Sequence, residues 1–240
     1  MEQIYIVLTE TCNLSCEHCI RESSPLIKNS MNYESLLPVI DDIKIHYPKS
    51  TISLTGGEPT IYDNFTNILK YSLDTEMDII VNTNATSKFF TKNNLENFSD
   101  YKNLRFQVSL DGISSVHNKI RGKNTYEKSL KSIRLLTSMG FTCSVSTTIL
   151  EASFIDTADE FISELEELKL SHIAIKRVTY AGRAAGGSSL TNDKWNNFVY
   201  RLRNSEIKTK LIINPMYDFN ILDSINSDEL ILFSDINRRY

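Results

Sequence analysis

Short apolar runs alternate with segments of helical period along most of the chain, and this alternation restricts the fold more than any other feature. Six runs, at residues 4–8, 51–54, 78–81, 104–110, 142–148 and 172–176, are short and apolar enough to suit strands buried on both faces. Between them, Tyr126, Leu130, Ile133, Leu136 and Met139 recur at spacings of four and three, with Gly140 as a helix stop. Phe154, Ala158, Phe161, Ile162, Leu165 and Leu168 form a second stripe, and a further helix is expected after Thr191 through Trp195, Phe198 and Leu202. Weaker helical stretches lie at 36–47, 65–73 and 89–98; Pro38 implies that the first begins near Ser35 or is kinked. Six strands alternating with six helices mean successive right-handed βαβ units and a parallel sheet. The pattern fits an open doubly wound sheet and a partial or complete barrel alike. Both place functional loops at the carboxyl ends of the strands.

With 240 residues, 41% of them hydrophobic, one large domain is expected over 1–210, followed by a C-terminal segment, 211–240, that reads as the start of a truncated extension. A net charge of −4 provides no general attraction to nucleic acid or to an anionic membrane. No apolar run nears the roughly 20 residues that span a bilayer. The N-terminus reads as a first strand rather than a leader, and a cytoplasmic location is the expectation.

Three of the four cysteines fall within eight residues, Cys12, Cys16 and Cys19, in the loop after the first strand. Such an odd local cluster suits metal or cluster ligation better than a disulfide framework. Cys143, between Phe141 and Val145, reads as a small buried hydrophobe. Three thiolates on a C-x3-C-x2-C loop can cap three irons of a cubane and leave the fourth without a protein ligand. The alternative is a zinc site with His18 as fourth ligand, but His18 directly precedes Cys19, whereas structural zinc draws its ligands as separated pairs. The second strand ends in Gly56-Gly57-Glu58-Pro59. Paired glycines there let a ligand approach the backbone, and Glu58 is placed to receive a ligand ammonium group; the plainer reading is a tight turn with a surface glutamate.

These motifs, in this order, resemble the radical SAM superfamily. The resemblance implies a partial (β/α)6 TIM-like barrel, an α/β fold, with a [4Fe–4S] cluster on Cys12, Cys16 and Cys19. It further implies that S-adenosylmethionine chelates the fourth iron through its amino and carboxylate groups, with Gly56, Gly57, Glu58 and Pro59 forming the turn that binds the amino group. His18 replaces an aromatic residue common in the family and is expected to pack flat against the cofactor. Val81-Asn82-Thr83-Asn84-Ala85 is similar to the family's Thr-Asn-Gly turn, with alanine for glycine, which adds Asn84 to the cofactor-binding set.

Ser109-Leu110-Asp111-Gly112, followed by His117 and Arg121-Gly122, resembles the branch of anaerobic sulfatase maturases and peptide-modifying enzymes. By that resemblance Ser109 and Arg121 hold polar groups of S-adenosylmethionine, with Asp111 beside them, against plain readings as a strand hydroxyl, a solvated charge and an Asp-Gly turn. His117 reads as a surface residue. Arg177 is expected to face the cofactor and Arg183, in Gly-Arg-Ala, to cap the barrel rim. Thr147 and Thr148 either line the adenosine pocket or pack as buried β-branched residues.

The implied chemistry is reductive cleavage of S-adenosylmethionine to a 5′-deoxyadenosyl radical that abstracts hydrogen, with a peptide or protein side chain as substrate and flavodoxin or ferredoxin as electron donor. Branch members usually carry a cysteine-rich C-terminal extension with auxiliary clusters. No cysteine follows Cys143 here, so no such cluster is cysteine-ligated within this sequence. The alternatives are action on a small metabolite, and a catalytically silent Fe–S or S-adenosylmethionine module that serves a partner protein.

Overall fold

The computed structural model describes residues 3–187 and 190–213 and the backbone of 229–232. Its strands are β1 (Gln3–Thr9), β2 (Thr51–Gly56), β3 (Ile79–Thr83), β4 (Leu104–Ser109), β5 (Thr142–Ile149), β6 (Ile173–Arg177), β7 (Leu211–Ile213) and β8 (Glu229–Leu232). The helices are α1 (Tyr33–His46), α2 (Phe65–Leu73), α3 (Lys92–Glu96), α4 (Ser114–Arg121), α5 (Thr125–Ser138), α6 (Ser153–Glu166) and α7 (Asn192–Arg203). The sheet runs β7-β6-β5-β4-β3-β2-β1-β8, and its neighbouring strands pair in parallel among the described residues. β1 to β7 follow in chain order without reversal, so right-handed crossovers put their helices on one side. A doubly wound sheet would reverse at a switch point. The fold is therefore an unclosed, barrel-type α/β sheet; among the described residues no pairing joins β7 to β8.

Register makes the two faces of the sheet unlike. Ile6, Leu54, Val81, Phe106 and Cys143 stand abreast across five strands, each at most 1% exposed. This row meets the helices, whose Leu36, Ile40, Ile68, Ile133 and Leu136 join the same core. Burying each such large side chain contributes roughly 1.5–3 kcal/mol. The opposite face is not sealed: burial alternates along β3 and β4, where both faces were expected to be buried. Solvent reaches it because the helices cover only one side.

Local signals set the helix ends. Asn32 caps α1 by accepting from the Ser35 amide at 3.2 Å, so the helix begins at Tyr33 and carries Pro38 inside it. α5 ends where Gly140 takes φ +83° while the Phe141 and Gly140 amides bond back to the Leu136 and Thr137 carbonyls. α4 escaped the sequence pattern because only His117 and Ile120 of its eight residues are buried. The apolar run at 211–215 supplies β7; residues 214–228 and 233–240 of the expected C-terminal segment lie outside the described residues, as do residues 1–2. No helix among the described residues is long and apolar enough to cross a membrane.

Candidate functional site

The cysteine loop follows β1 and the glycine turn follows β2, its parallel neighbour, so both lie at the carboxyl edge of the sheet. The turn is stitched to the root of the loop: the Gly57 amide donates to the Thr9 carbonyl at 2.7 Å and the Glu58 amide to that of Thr11 at 3.0 Å. A Cβ on Gly56 would stand 2.2 Å from the Thr9 oxygen, and one on Gly57 2.3 Å from the Thr11 oxygen. Chain meeting chain thus demands glycine at both positions. From far downstream, Arg183 donates Nε to the Cys16 carbonyl at 2.7 Å and an Nη to the Ser23 carbonyl at 2.8 Å, and its amide bonds the Cys19 carbonyl at 3.1 Å. Gly182 permits this contact: at φ +56° a Cβ would meet the Cys19 and Ile20 oxygens at 2.5 Å. The expected rim cap is a clamp on the cysteine loop.

Glu58 does not face the cleft. Its carboxylate is fully buried and accepts from the Thr60 amide (3.2 Å) and hydroxyl (2.5 Å), the Thr83 hydroxyl (2.7 Å) and the Asn84 amide (2.7 Å). Burial pushes its pKa up against the pull of these bonds. With four donors of its own chain in place it ties the β2 turn to the β3 turn, in correction of its expected role as an ammonium receptor. Pro59 is buried in the 3-10 turn that follows. Asn84 lines the cleft, its amide Nδ2 2.9 Å from Asn13 Oδ1 and 3.8 Å from Cys12 Sγ. Ala85, where the resemblance implies a glycine, takes φ +56°.

A charged network holds the other side. Asp111 is fully buried; its Oδ1 accepts from the Thr148 amide at 2.8 Å and its Oδ2 from Arg121 Nε at 2.5 Å. Burial favours the neutral acid, but the Arg121 guanidinium outweighs it and holds the carboxyl at about 2. An Arg121 Nη lies 3.3 Å from His18 Nε2. His18 is buried, which lowers it to about 4 and leaves it neutral. His117 is 0% exposed, not on the surface: its Nδ1 accepts from the Asp111 amide at 3.0 Å and burial lowers it to about 4. Asp111 therefore acts beneath the cleft, whereas Arg121 and Ser109 line it. Thr148 also lines it, while Thr147 is buried with its hydroxyl on the Leu110 carbonyl. Arg177 lines the rim and bonds Asn192, Leu190 and Tyr180 on the segment leading into α7.

The cleft itself has a volume of about 350 Å³ and is lined by Cys12, Cys16 and Cys19 together with Gly56 and Gly57. All three thiols are free. Burial pushes Cys12 up to about 12 and raises Cys16, which Arg121 and Arg183 pull back. The Leu14 amide donates to Cys12 Sγ at 3.4 Å. Among the described residues no three histidine, cysteine or carboxylate side chains group around a single-ion site, and His18 Nε2 engages Arg121 and Asp111. A cubane takes each thiolate on a different iron and so needs no such convergence. His18 Nδ1 and Ser23 Oγ, both on cleft-lining residues, are buried without a partner, as expected where a polar group is to be received. The donor set fits an iron–sulfur cluster with a polar cofactor beside it.

Comparisons with known proteins agree. The family model described as "Radical SAM superfamily" matches residues 6–165. The mycofactocin maturase MftC of Mycolicibacterium smegmatis is 26% identical over 185 residues, which are 74% of this chain and 45% of that protein. The antilisterial bacteriocin subtilosin biosynthesis protein AlbA of Bacillus subtilis is 32% identical over 155 residues, 63% of this chain and 34% of AlbA. The chain thus spans less than half the length of these relatives. Among solved structures, Streptococcus suis SuiB bound to S-adenosylmethionine has the same fold, with a TM-score of 0.75 at 16% identity over 90% of this chain and 51% of SuiB.

Proposed function

Because the chain belongs to the radical SAM superfamily, whose members use a [4Fe–4S] cluster and S-adenosylmethionine, we propose that it is a peptide-modifying enzyme that abstracts hydrogen from a side chain of its substrate. When bound, the cluster and S-adenosylmethionine supply the electron and the 5′-deoxyadenosyl radical for that abstraction. Cys12, Cys16 and Cys19 would hold three irons. The Gly56-Gly57 turn, Asn84, Ser109 and Arg121 would orient the cofactor, Arg121 through guanidinium N–H groups beyond the Nε that Asp111 engages. Neutral His18 offers its ring face and a free Nδ1. Arg177 sits where the cleft opens and would meet the cofactor's outer end. The reductant would be a low-potential protein of the flavodoxin or ferredoxin kind.

The observation that carries this reading is that three free thiols and the glycine turn share one cleft. A peptide substrate is supported by one relative named as a maturase, another named for bacteriocin biosynthesis, and a SuiB structure bound to its precursor peptide SuiA. The test is anaerobic reconstitution. About four irons and four sulfides per chain and 5′-deoxyadenosine formed with dithionite are expected, and both should vanish in Cys12→Ala. Zinc in place of iron, or a loaded cluster that yields no 5′-deoxyadenosine, would refute it.

A further inference from the structure

Helix α4 grips one residue of the sheet with two side chains from the same face. His117 and Arg121 stand one helical turn apart, and both bind Asp111. His117 Nδ1 accepts from the Asp111 amide at 3.0 Å, while Arg121 Nε donates to the Asp111 carboxylate at 2.5 Å. The ladder to β5 runs out just before this point, where the Leu110 amide donates to the Ser146 carbonyl at 3.1 Å. The Asp111 amide, next along the chain, is received by a side chain instead of by a neighbouring strand. Gly112 lets the turn lie against the helix: at its φ of +103° a Cβ would come within 3.2 Å of Val116.

The last turn of α4 also meets the cysteine loop. The Glu17 amide donates to the Ile120 carbonyl at 2.9 Å, and the Ile120 side chain packs with Leu150, Val178 and Ala184 past the ends of β5 and β6. The seat of this turn therefore decides where the Arg121 guanidinium stands in the cleft that it lines with Cys16 and Cys19.

One feature of His117 separates this role from plain packing. A backbone N–H leaves Nδ1 only the accepting role, so the proton of the neutral ring is on Nε2. That nitrogen is buried with no hydrogen-bond partner among the described residues, and the ring meets that of Tyr126 edge to face, centroids 5.7 Å apart. A phenylalanine would fill the same space without stranding a buried donor. What histidine adds at this position is the Nδ1 lone pair, and that lone pair is spent on Asp111.

We propose that His117 is a positioning residue for Arg121: by pinning the main chain of Asp111 it fixes the carboxylate on which the guanidinium is braced, and so sets how the remaining N–H groups of Arg121 meet the carboxylate of S-adenosylmethionine. The proposal rests on the reading of Arg121 as a cofactor ligand given above and adds the residue that aims it.

The experiment compares His117→Phe, which keeps a ring and loses the acceptor, with His117→Asn, whose Oδ1 returns an acceptor near the place of Nδ1. In the apo-protein the Asp111 amide should exchange slowly with deuterium, about tenfold faster in His117→Phe, and slowly again in His117→Asn. Equal protection in the parent and His117→Phe overturns the proposal at its first link. After anaerobic reconstitution, equilibrium dialysis should show S-adenosylmethionine bound about tenfold more weakly by His117→Phe and near parental affinity by His117→Asn, with iron and sulfide contents unchanged. Arg121→Gln should weaken binding by itself, and adding His117→Phe to it should cost nothing further, because the histidine acts only through the arginine. Losses that add in full, or parental affinity in His117→Phe, overturn the proposal and leave Arg121 standing as a ligand. If His117→Phe fails to load iron, loaded His117→Asn decides: parental affinity supports the proposal and a tenfold loss overturns it. Parental affinity in Arg121→Gln overturns the reading of Arg121 itself, and the proposal with it.

Discussion

The two walls of the cysteine cleft are held by different means. Along β1 to β3 the wall is largely main chain on main chain, with the Gly57 and Glu58 amides on the Thr9 and Thr11 carbonyls, no room for a Cβ at Gly56 or Gly57, and the buried Glu58 carboxylate tying the β2 turn to the β3 turn. Along β4 to β6 it is held by charged side chains: Asp111 with Arg121, Arg121 with His18, and Arg183 on the loop carbonyls. Backbone contacts ignore side-chain identity except where glycine is compulsory. The first wall is therefore rigid at its two glycines and at Glu58, whereas the second depends on charge at a few positions.

The largest effect should come from breaking the charged wall. Asp111→Asn leaves the Arg121 guanidinium, 9% exposed, without a counter-charge, and removing one partner of a buried pair costs about 3–5 kcal/mol. Urea midpoints of the apo-protein measure this, and Asp111→Asn with Arg121→Met should recover part of the loss. If the single variant is as stable as the parent, that wall is not electrostatic.

Next comes the main-chain wall. Gly57→Ala must push back the Thr11 carbonyl, a strain of about 3 kcal/mol, whereas Gly140→Ala, where a Cβ meets nothing within 4 Å, should cost only the ~1–2 kcal/mol of its positive φ. Equal losses at both sites would erase the contrast between the walls.

Arg183→Gln should matter less for folding than for retention of the metal. Losing two charge-assisted bonds, each worth ~1.5–3 kcal/mol, loosens the loop, and iron release to a chelator should quicken about tenfold. Lysine cannot span both the Cys16 and Ser23 carbonyls with a planar fork, so Arg183→Lys should fall between. Release rates equal to the parent's would remove Arg183 from the wall.

The smallest change is expected at Ala85→Gly. Relief of a left-handed alanine returns ~1–2 kcal/mol, but the lost buried methyl takes back about 0.8 and the freer chain another 0.5–1. The midpoint should stay within about 0.5 kcal/mol of the parent's, and a larger rise would show that strain dominates there.

The same contrast explains what was legible in the sequence. Cys12, Cys16 and Cys19 and the Gly56-Gly57 turn were readable because their meaning lies in local spacing and in the strand that precedes each. The six main strands were readable from period, whereas their unreversed order in the sheet was implied only by the family resemblance. The inward turn of Glu58 and Asp111, the burial of His117 and the clamp at Arg183 were not, because each depends on partners brought from distant strands. Asn84 meets Glu58 across 26 positions, Thr148 meets Asp111 across 37, and His18 meets Arg121 across 103. Polar residues in turns have no periodicity to betray which way they face. The Gly182-Arg183 pair did offer a signal, a glycine and a cation just past a strand's carboxyl end, but the carbonyls it serves were invisible.

The Arg183 clamp also bears on how the protein is made. Its guanidinium reaches the Cys16 carbonyl from 167 positions away, so a ribosome must add that many residues before the thiol-bearing segment gains its last fasteners. Iron delivered to a nascent chain before that point meets an unfinished receptacle. Translation intermediates stalled ahead of Gly182 should accordingly hold iron less firmly than those stalled well beyond it.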